Sequence, residues 1–189
     1  MTYRIETRNN YLRVALENLL PRLRNEPEIC IIDLASFHSL RAISTCINKY
    51  SMTYRYIFIA DEGIYSRLLS PIVSLKNRMS VIKYYEAIRH CPGVTYEMVK
   101  RRLERHKSMA GYSHKDMTTV YSLLINNSII SAARHIGIRP KLFYRRVDKL
   151  VKKLNMVNRL QTHCYFRREF CPDAIQYMIN ELVRQSIRR

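Results

Sequence analysis

The chain has 189 residues, 47% apolar and 25% charged, with a net charge of +18 and only four Gly and six Pro. That composition suits one folded domain or two small ones and leaves no room for a long flexible linker. The longest uncharged run, 117–133, is broken by Asn, Ser and Thr, so no stretch reads as a membrane span, and MTYRIETRNN lacks the apolar centre of a signal peptide.

Tyr3–Thr7 alternates weakly and predicts a short first strand. Asn9 or Asn10 caps a helix running to about Leu20, with Leu12, Leu16, Leu19 and Leu20 on one stripe. Pro21 and Pro27 bracket a loop. EICIIDL (28–34) is the β-branched run of a buried parallel strand. Ser36–Tyr50 follows as a helix with Leu40, Ile43 and Ile47 inward. YRYIFIAD (54–61) and the shorter PIVSL (71–75) are further strands, and Ser80–His90 is again helical. Strands alternating with helices predict parallel pairing with crossover helices, an α/β module over 1–92. Cys91-Pro92-Gly93 breaks the chain. Thr95 caps a basic helix, YEMVKRRLERHK (96–107), ended by Met109-Ala110-Gly111, so 93–111 reads as a basic helical linker.

From Ser113 onward every signal is helical. Ser113 with Asp116 three residues later resembles a capping box, and Met117, Val120, Tyr121 and Leu124 follow at spacings of three and four. Asn126-Asn127 can end that helix in a left-handed turn. Ser128 caps a second helix with Ile129, Ala132, Ala133 and Ile136 apolar, and Gly137 lies at its end. Pro140 opens a third helix at its first turn, where a missing N–H costs nothing. Its seam is Phe143, Val147, Leu150 and Leu154. Asp173 can cap a last helix, Ala174–Ile187, with Ile175, Met178, Ile179, Leu182 and Val183 on one stripe. Packing back on the body is its plain reading and a dimer contact the alternative.

The charge is unevenly spread. Residues 1–99 hold 13 Lys/Arg against 9 Asp/Glu, whereas residues 100–189 hold 20 against 6. A basic half joined to a near-neutral one reads as a polyanion-binding domain attached to something else. The five cysteines, Cys30, Cys46, Cys91, Cys164 and Cys171, are odd in number and scattered, the usage of a reducing compartment. His163, Cys164 and Cys171 lack a CxxC pair, so no metal site is expected. There is no Gly-rich phosphate loop, HExxH, GxSxG or paired carboxylate in helical register, so neither an enzyme nor a cofactor is expected.

The outer face of the third helix carries Lys141, Tyr144, Arg145, Asp148, Lys149 and Lys152. Two helices joined by a tight Gly-containing turn, with small Ala132 and Ala133 at the crossing, fit a helix-turn-helix, whose second helix enters the DNA major groove. There Arg can pair bidentately with guanine, and Tyr can bond phosphate or pack on a thymine methyl. An ordinary solvated basic helix would show the same pattern.

Residues 112–166 resemble the LuxR/FixJ (NarL-type) family of helix-turn-helix regulators. SIISAARHIGIRPKLFYRRVDKLVKKLNMVNRLQ keeps that family's order of small, apolar and basic positions without a gap. Ala133, Ile136 and Ile138 match its Ala, Leu and Ile around the turn. Lys153-Leu154 and Asn158-Arg159 match its Lys-Leu and Asn-Arg pairs. The resemblance implies a four-helix DNA-binding domain over 112–166, in which Tyr144, Arg145 and Asp148 touch bases. Lys141 and Lys152 would touch phosphates, with Arg139 and Lys149 completing the surface. It also implies pairing through a fourth helix at about Asn158–Phe166, placing Asn158, Leu160, Gln161 and Cys164 at a dimer contact. The chain departs from the family at Arg139 and Leu142, where a cap Ser and a Thr are usual, at Arg146 for a frequent His, and at Asn126 for a Gly. Asp148 would repel phosphates, though it could accept from a cytosine amino group.

The N-terminal half more faintly resembles a response-regulator receiver. EICIIDL is similar to the strand ending in the phosphate-accepting Asp, which puts Asp33 there, and SLKN puts Lys76 at the receiver's Lys. Thr7-Arg8 replaces the acidic pair, so Mg²⁺ loses its carboxylates, and Ala60 replaces the hydroxyl. Only seven residues separate Leu20 from Glu28, too few for the usual strand and helix between. The expectation is a shortened pseudo-receiver that does not use phosphate, with Asp33 a structural residue.

Together these features predict a sequence-specific, phosphorylation-independent transcriptional regulator. It would bind double-stranded promoter DNA as a homodimer or with a related regulator, touch RNA polymerase, and lie on the nucleoid of a bacterial cytoplasm away from membranes. Two alternatives stand beside it: an adaptor that captures a partner regulator through its N-terminal module, and a sigma-factor-like promoter-reading subunit.

Overall fold

The run Ile29–Asp33 is buried at all five positions and forms a central strand of a parallel sheet. The computed structural model describes residues 3–23, 28–50 and 53–187. The chain divides into two compact units, Met1–Ser108 and Met109–Arg189.

In the first unit the strands are β1 (Tyr3–Glu6), β2 (Ile29–Asp33), β3 (Arg55–Ala60) and β4 (Val73–Lys76). They lie in the order β1-β2-β3-β4 with every pair parallel. The helices are α1 (Asn10–Leu19), α2 (Leu40–Ile47), α3 (Ile64–Leu68), α4 (Val81–His90) and α5 (Tyr96–Lys107). Asn9, Ser39, Ser80 and Thr95 cap α1, α2, α4 and α5 through their side chains, each satisfying a backbone N–H that the first turn leaves unpaired.

Strand alternation divides the core in two. Ile29, Ile31, Ile57, Ile59 and Leu75 pack with Leu16, Leu19 and Leu20 at the end of α1 and with Tyr84 and Ile88 of α4. Cys30, Ile32, Tyr56 and Phe58 point to the other face, where the Tyr56 hydroxyl donates to Ile47 O of α2 at 3.4 Å. The connections through α1 and through α2 therefore step the same way across the sheet on opposite faces, and must have opposite hands. One of them breaks the right-handed rule that about 98% of such crossovers obey. Deleting the second strand from a doubly wound 2-1-3-4-5 sheet leaves this sequential order and this reversal of hand. The seven-residue link from Leu20 to Glu28 is too short to carry that second strand together with the helix that would follow it.

In the first unit two expectations change and one helix is new. The helix read as Ser36–Tyr50 is α2, Leu40–Ile47, because Asp33 caps a separate 3₁₀ turn at Leu34–Ser36 and Ser39 caps the helix proper. The five-residue α3 carried no periodicity to betray it. Helix 96–107, read as a linker, is α5 of the first unit: Val99 and Leu103 are buried and the helix packs on α2. Pro27 lies outside the described residues.

The second unit contains α6 (His114–Ile125), α7 (Ile129–His135), α8 (Pro140–Lys153), α9 (Arg159–Glu169) and α10 (Pro172–Ile187). Ser113 and Asp116 make a full capping box on α6. The buried stripe of α6 is Met117, Val120 and Leu123 with Thr119 and Ser122, while Tyr121 and Leu124 are only half-buried. Its hydroxyls are satisfied, Thr119 Oγ1 donating to Lys115 O at 2.7 Å and Ser122 Oγ to Ala132 O at 2.7 Å. Helix α10 begins at Pro172, one residue ahead of the expected cap Asp173, and packs on α6 with Ile175 and Ile179 buried. The fourth helix runs past Phe166 to Glu169.

The left-handed turn expected at Asn126-Asn127 does not form. Asn126 is extended, at φ −116° and ψ 144°. Its amide spans the turn instead, Nδ2 donating to Ser122 O at 2.9 Å and Oδ1 accepting from Ser131 Oγ at 2.8 Å. A side chain bonded on both sides of the turn removes the need for a positive φ. The Asn that does adopt one is Asn155, at φ 55°, where α8 ends with Met156 N donating to Val151 O at 2.9 Å.

Candidate nucleic-acid interface

The surface is built around the turn between α7 and α8. Ala132 and Ala133 are fully buried against Phe143, Val147 and Leu123, and their small side chains let the two helices approach closely. Gly137 takes φ +66°, a left-handed conformation at which a Cβ would be strained. Ile138 N then donates to Ala133 O at 3.0 Å, closing the end of α7. Arg139 is extended and Pro140 opens α8. With about 100° per residue, the seam Phe143, Val147, Leu150 and Leu154, all buried, leaves the opposite face of α8 to solvent.

On that face Arg139, Lys141, Arg145, Lys149 and Lys152 are exposed, and Tyr144 and Asp148 are half-buried. The geometry also holds two partnerships invisible in the pattern of α8. Arg159, the first residue of α9, donates from Nε to Asp148 Oδ1 at 2.6 Å and from its terminal nitrogen to Oδ2 at 2.9 Å. Its guanidinium carbon also lies 4.7 Å from the centre of the Tyr144 ring. The Arg159 hydrogen bonds hold the Asp148 carboxyl below its ordinary range, outweighing partial desolvation. Lys153 Nζ bonds Gly111 O at 2.7 Å and Asp116 at 2.8 Å and sits 4.3 Å from the Tyr112 ring centre. It ties the end of α8 to the start of α6. Desolvation raises the Asp116 carboxyl, but the bonds from Lys153 and the Ser113 N–H together bring it below its usual value.

Of the four residues expected at a dimer contact, Leu160 is 70% exposed, with Val157 beside it at 58%. Asn158 caps α9, accepting from Gln161 N at 2.8 Å, and the Gln161 amide oxygen accepts from Val157 N at 2.9 Å. Cys164 is half-buried. The inner face of α9 buries Thr162, Tyr165 and Phe166.

In the first unit Asp33 is buried at the end of β2. It accepts from Thr7 Oγ1 at 2.7 Å, Ser36 Oγ at 2.9 Å and Ala35 N at 3.1 Å. Lys76 is exposed at the end of β4, and no ion pair joins it to Asp33 among the described residues. Also among the described residues, no group of His, Cys, Asp or Glu gathers to hold a metal, and no helix is long and apolar enough to cross a membrane.

No protein-family profile matches the chain, and no curated protein matches it. Among solved structures it is similar to RcsB from Salmonella enterica serovar Typhimurium, bound to promoter rprA in the presence of the phosphomimetic BeF₃⁻. That match is 15% identical, covers 88% of this chain and 98% of the other, and has a TM-score of 0.33.

Proposed function

We propose that the chain is a sequence-specific DNA-binding transcriptional regulator that reads duplex DNA with α8. The observation that carries this reading is the two-sided chemistry of α8. One side is a buried apolar seam, and the other presents Lys141, Arg145, Lys149 and Lys152 to solvent. A helix held this way fits the major groove, with Arg145 suited to a guanine edge and the lysines to phosphates. The resemblance of 112–166 to LuxR/FixJ regulators supports the same assignment.

The reading includes a dimer formed through α9 and a first unit that works without phosphorylation. One reading helix contacts too few base pairs to find a site among roughly a million competitors, and paired half-sites remove that shortfall. Exposed Val157 and Leu160 supply an apolar contact for it. Thr7, which bonds Asp33, stands where a receiver has a metal-binding acid.

Arg145→Ala should cost about 1–3 kcal/mol at a selected site and relax base preference, whereas Lys152→Ala should weaken all sequences alike and flatten the salt dependence. Gel-shift titration of both variants tests this, and wild-type binding by both would sink it. A second reading, an adaptor that captures a partner regulator, is favoured by Val81 and Ile82 on α4, 58% and 71% exposed. DNA binding seen only with a second protein present would select it.

A further inference from the structure

Asp148 is the one acidic residue of α8. Standing among lysines and arginines on the exposed face, a free carboxylate would repel phosphates or accept from a cytosine amino group. The structure gives it a different occupation. Both of its oxygens are taken by Arg159, at 2.6 and 2.9 Å, the bidentate geometry that makes such pairs directional. The same guanidinium covers the Tyr144 ring. Arg159 is itself held in place, because the Asn158 side chain caps α9 and Gln161 bonds back to Val157 N.

We propose that Arg159 is a positioning residue of the DNA-reading surface, anchoring Asp148 so that it reads no base and fixing the Tyr144 ring beside Arg145. The proposal rests on α8 being the reading helix. It removes Asp148 from the base-contacting set and gives Asn158-Arg159 a role in recognition through α8, separate from any dimer contact on α9. Asp148 would then contribute no preference for cytosine, and base choice would fall to Arg145 and Tyr144.

The test uses full-length wild-type chain, Arg159→Ala, Asp148→Asn and the double variant, on a duplex that wild type selects from a random-sequence pool. Freeing the carboxylate beside the phosphates should weaken Arg159→Ala by roughly three- to tenfold. The double variant, with no charge left to cancel, should recover most of that loss and stay about twofold short of wild type, because the Tyr144 ring is still free of Arg159. Asp148→Asn alone should select the same bases as wild type. A double variant as weak as Arg159→Ala would mean that Arg159 touches DNA itself. A changed base preference in Asp148→Asn would mean that Asp148 reads, and either result overturns the proposal. In the free protein, an NMR carboxyl titration should show Asp148 rising toward its ordinary value in Arg159→Ala, and an unmoved carboxyl would also overturn it. If wild type enriches no duplex, the DNA-reading function itself fails. Failed rescue with wild-type binding intact rejects only the role of Arg159.

Discussion

Asp33→Ala is the most informative single substitution in the first unit. The wild-type carboxylate is buried and accepts from the Thr7 and Ser36 hydroxyls and from Ala35 N. Alanine leaves the two buried hydroxyls and the part-buried Ala35 N–H without their acceptor, each buried donor worth about 1–3 kcal/mol if it stays unpaired. Relief is available at one of them, since Thr7 Oγ1 lies 3.5 Å from Ser36 Oγ and the two hydroxyls can turn to each other. The expected loss is therefore about 2–4 kcal/mol rather than the full sum. Asp33→Asn keeps one oxygen acceptor and turns an amide donor toward a hydroxyl, so it should cost about 1 kcal/mol. Denaturant unfolding of the full chain by circular dichroism measures both, with tyrosine fluorescence following the loss. If Asp33→Ala unfolds at the wild-type midpoint, the carboxylate is not the structural hub described here. The same network predicts that acetyl phosphate with Mg²⁺ leaves no stable label on Asp33. Label lost in Asp33→Asn would refute phosphorylation independence.

Phe143→Ala, at a fully buried side chain in the seam of α8, should destabilise the second unit by about 3–5 kcal/mol, and a thermal melt with no shift would contradict the packing. Gly93 adopts φ +63°, and a Cβ there would collide with Arg55 Cγ and meet Tyr56 O at 3.0 Å. Gly93→Ala should thus cost at least about 1–2 kcal/mol of backbone strain and loosen the Tyr56–Val94 bridge, visible as faster amide exchange at Val94. Burial, then the Arg102 and Arg105 guanidinium groups, push the His106 imidazole down from 6.5 to about 4, against the raising effect of the Leu68 backbone carbonyl, which accepts from the ring. Its folded value lies below the unfolded one, so its stability contribution is complete above pH 6.5 and is lost as pH falls toward 4. After a discount for partial exposure that loss is about 1–2 kcal/mol. His106→Gln should unfold with a weaker pH dependence over that window, and an unchanged profile would count against the buried neutral imidazole.

Local chemistry made much of this molecule legible before any fold was known. Asn9, Ser80, Thr95, Ser113, Ser128 and Pro140 mark helix starts that the structure keeps, because a cap acts within three residues and needs no distant partner. The strands 29–33 and 55–60 and the seam of α8 follow from apolar period alone. Contacts between elements were not legible. The Arg159 grip on Asp148 and Tyr144 and the Lys153 tie to Asp116 join residues 11 to 37 positions apart, and each residue taken singly reads as a solvated charge. The Asn126 turn escapes local chemistry for the same reason, since Ser131, the hydroxyl that makes its extended backbone sufficient, belongs to the next helix. The reversal of crossover hand is decided at the widest scale. Sequence shows that the link between Leu20 and Glu28 is short, but only the sheet shows which strands become neighbours and on which faces α1 and α2 must lie. Caps and periodicity are set by a residue's nearest neighbours along the chain, whereas pairing and hand depend on distant segments that meet only when the core closes.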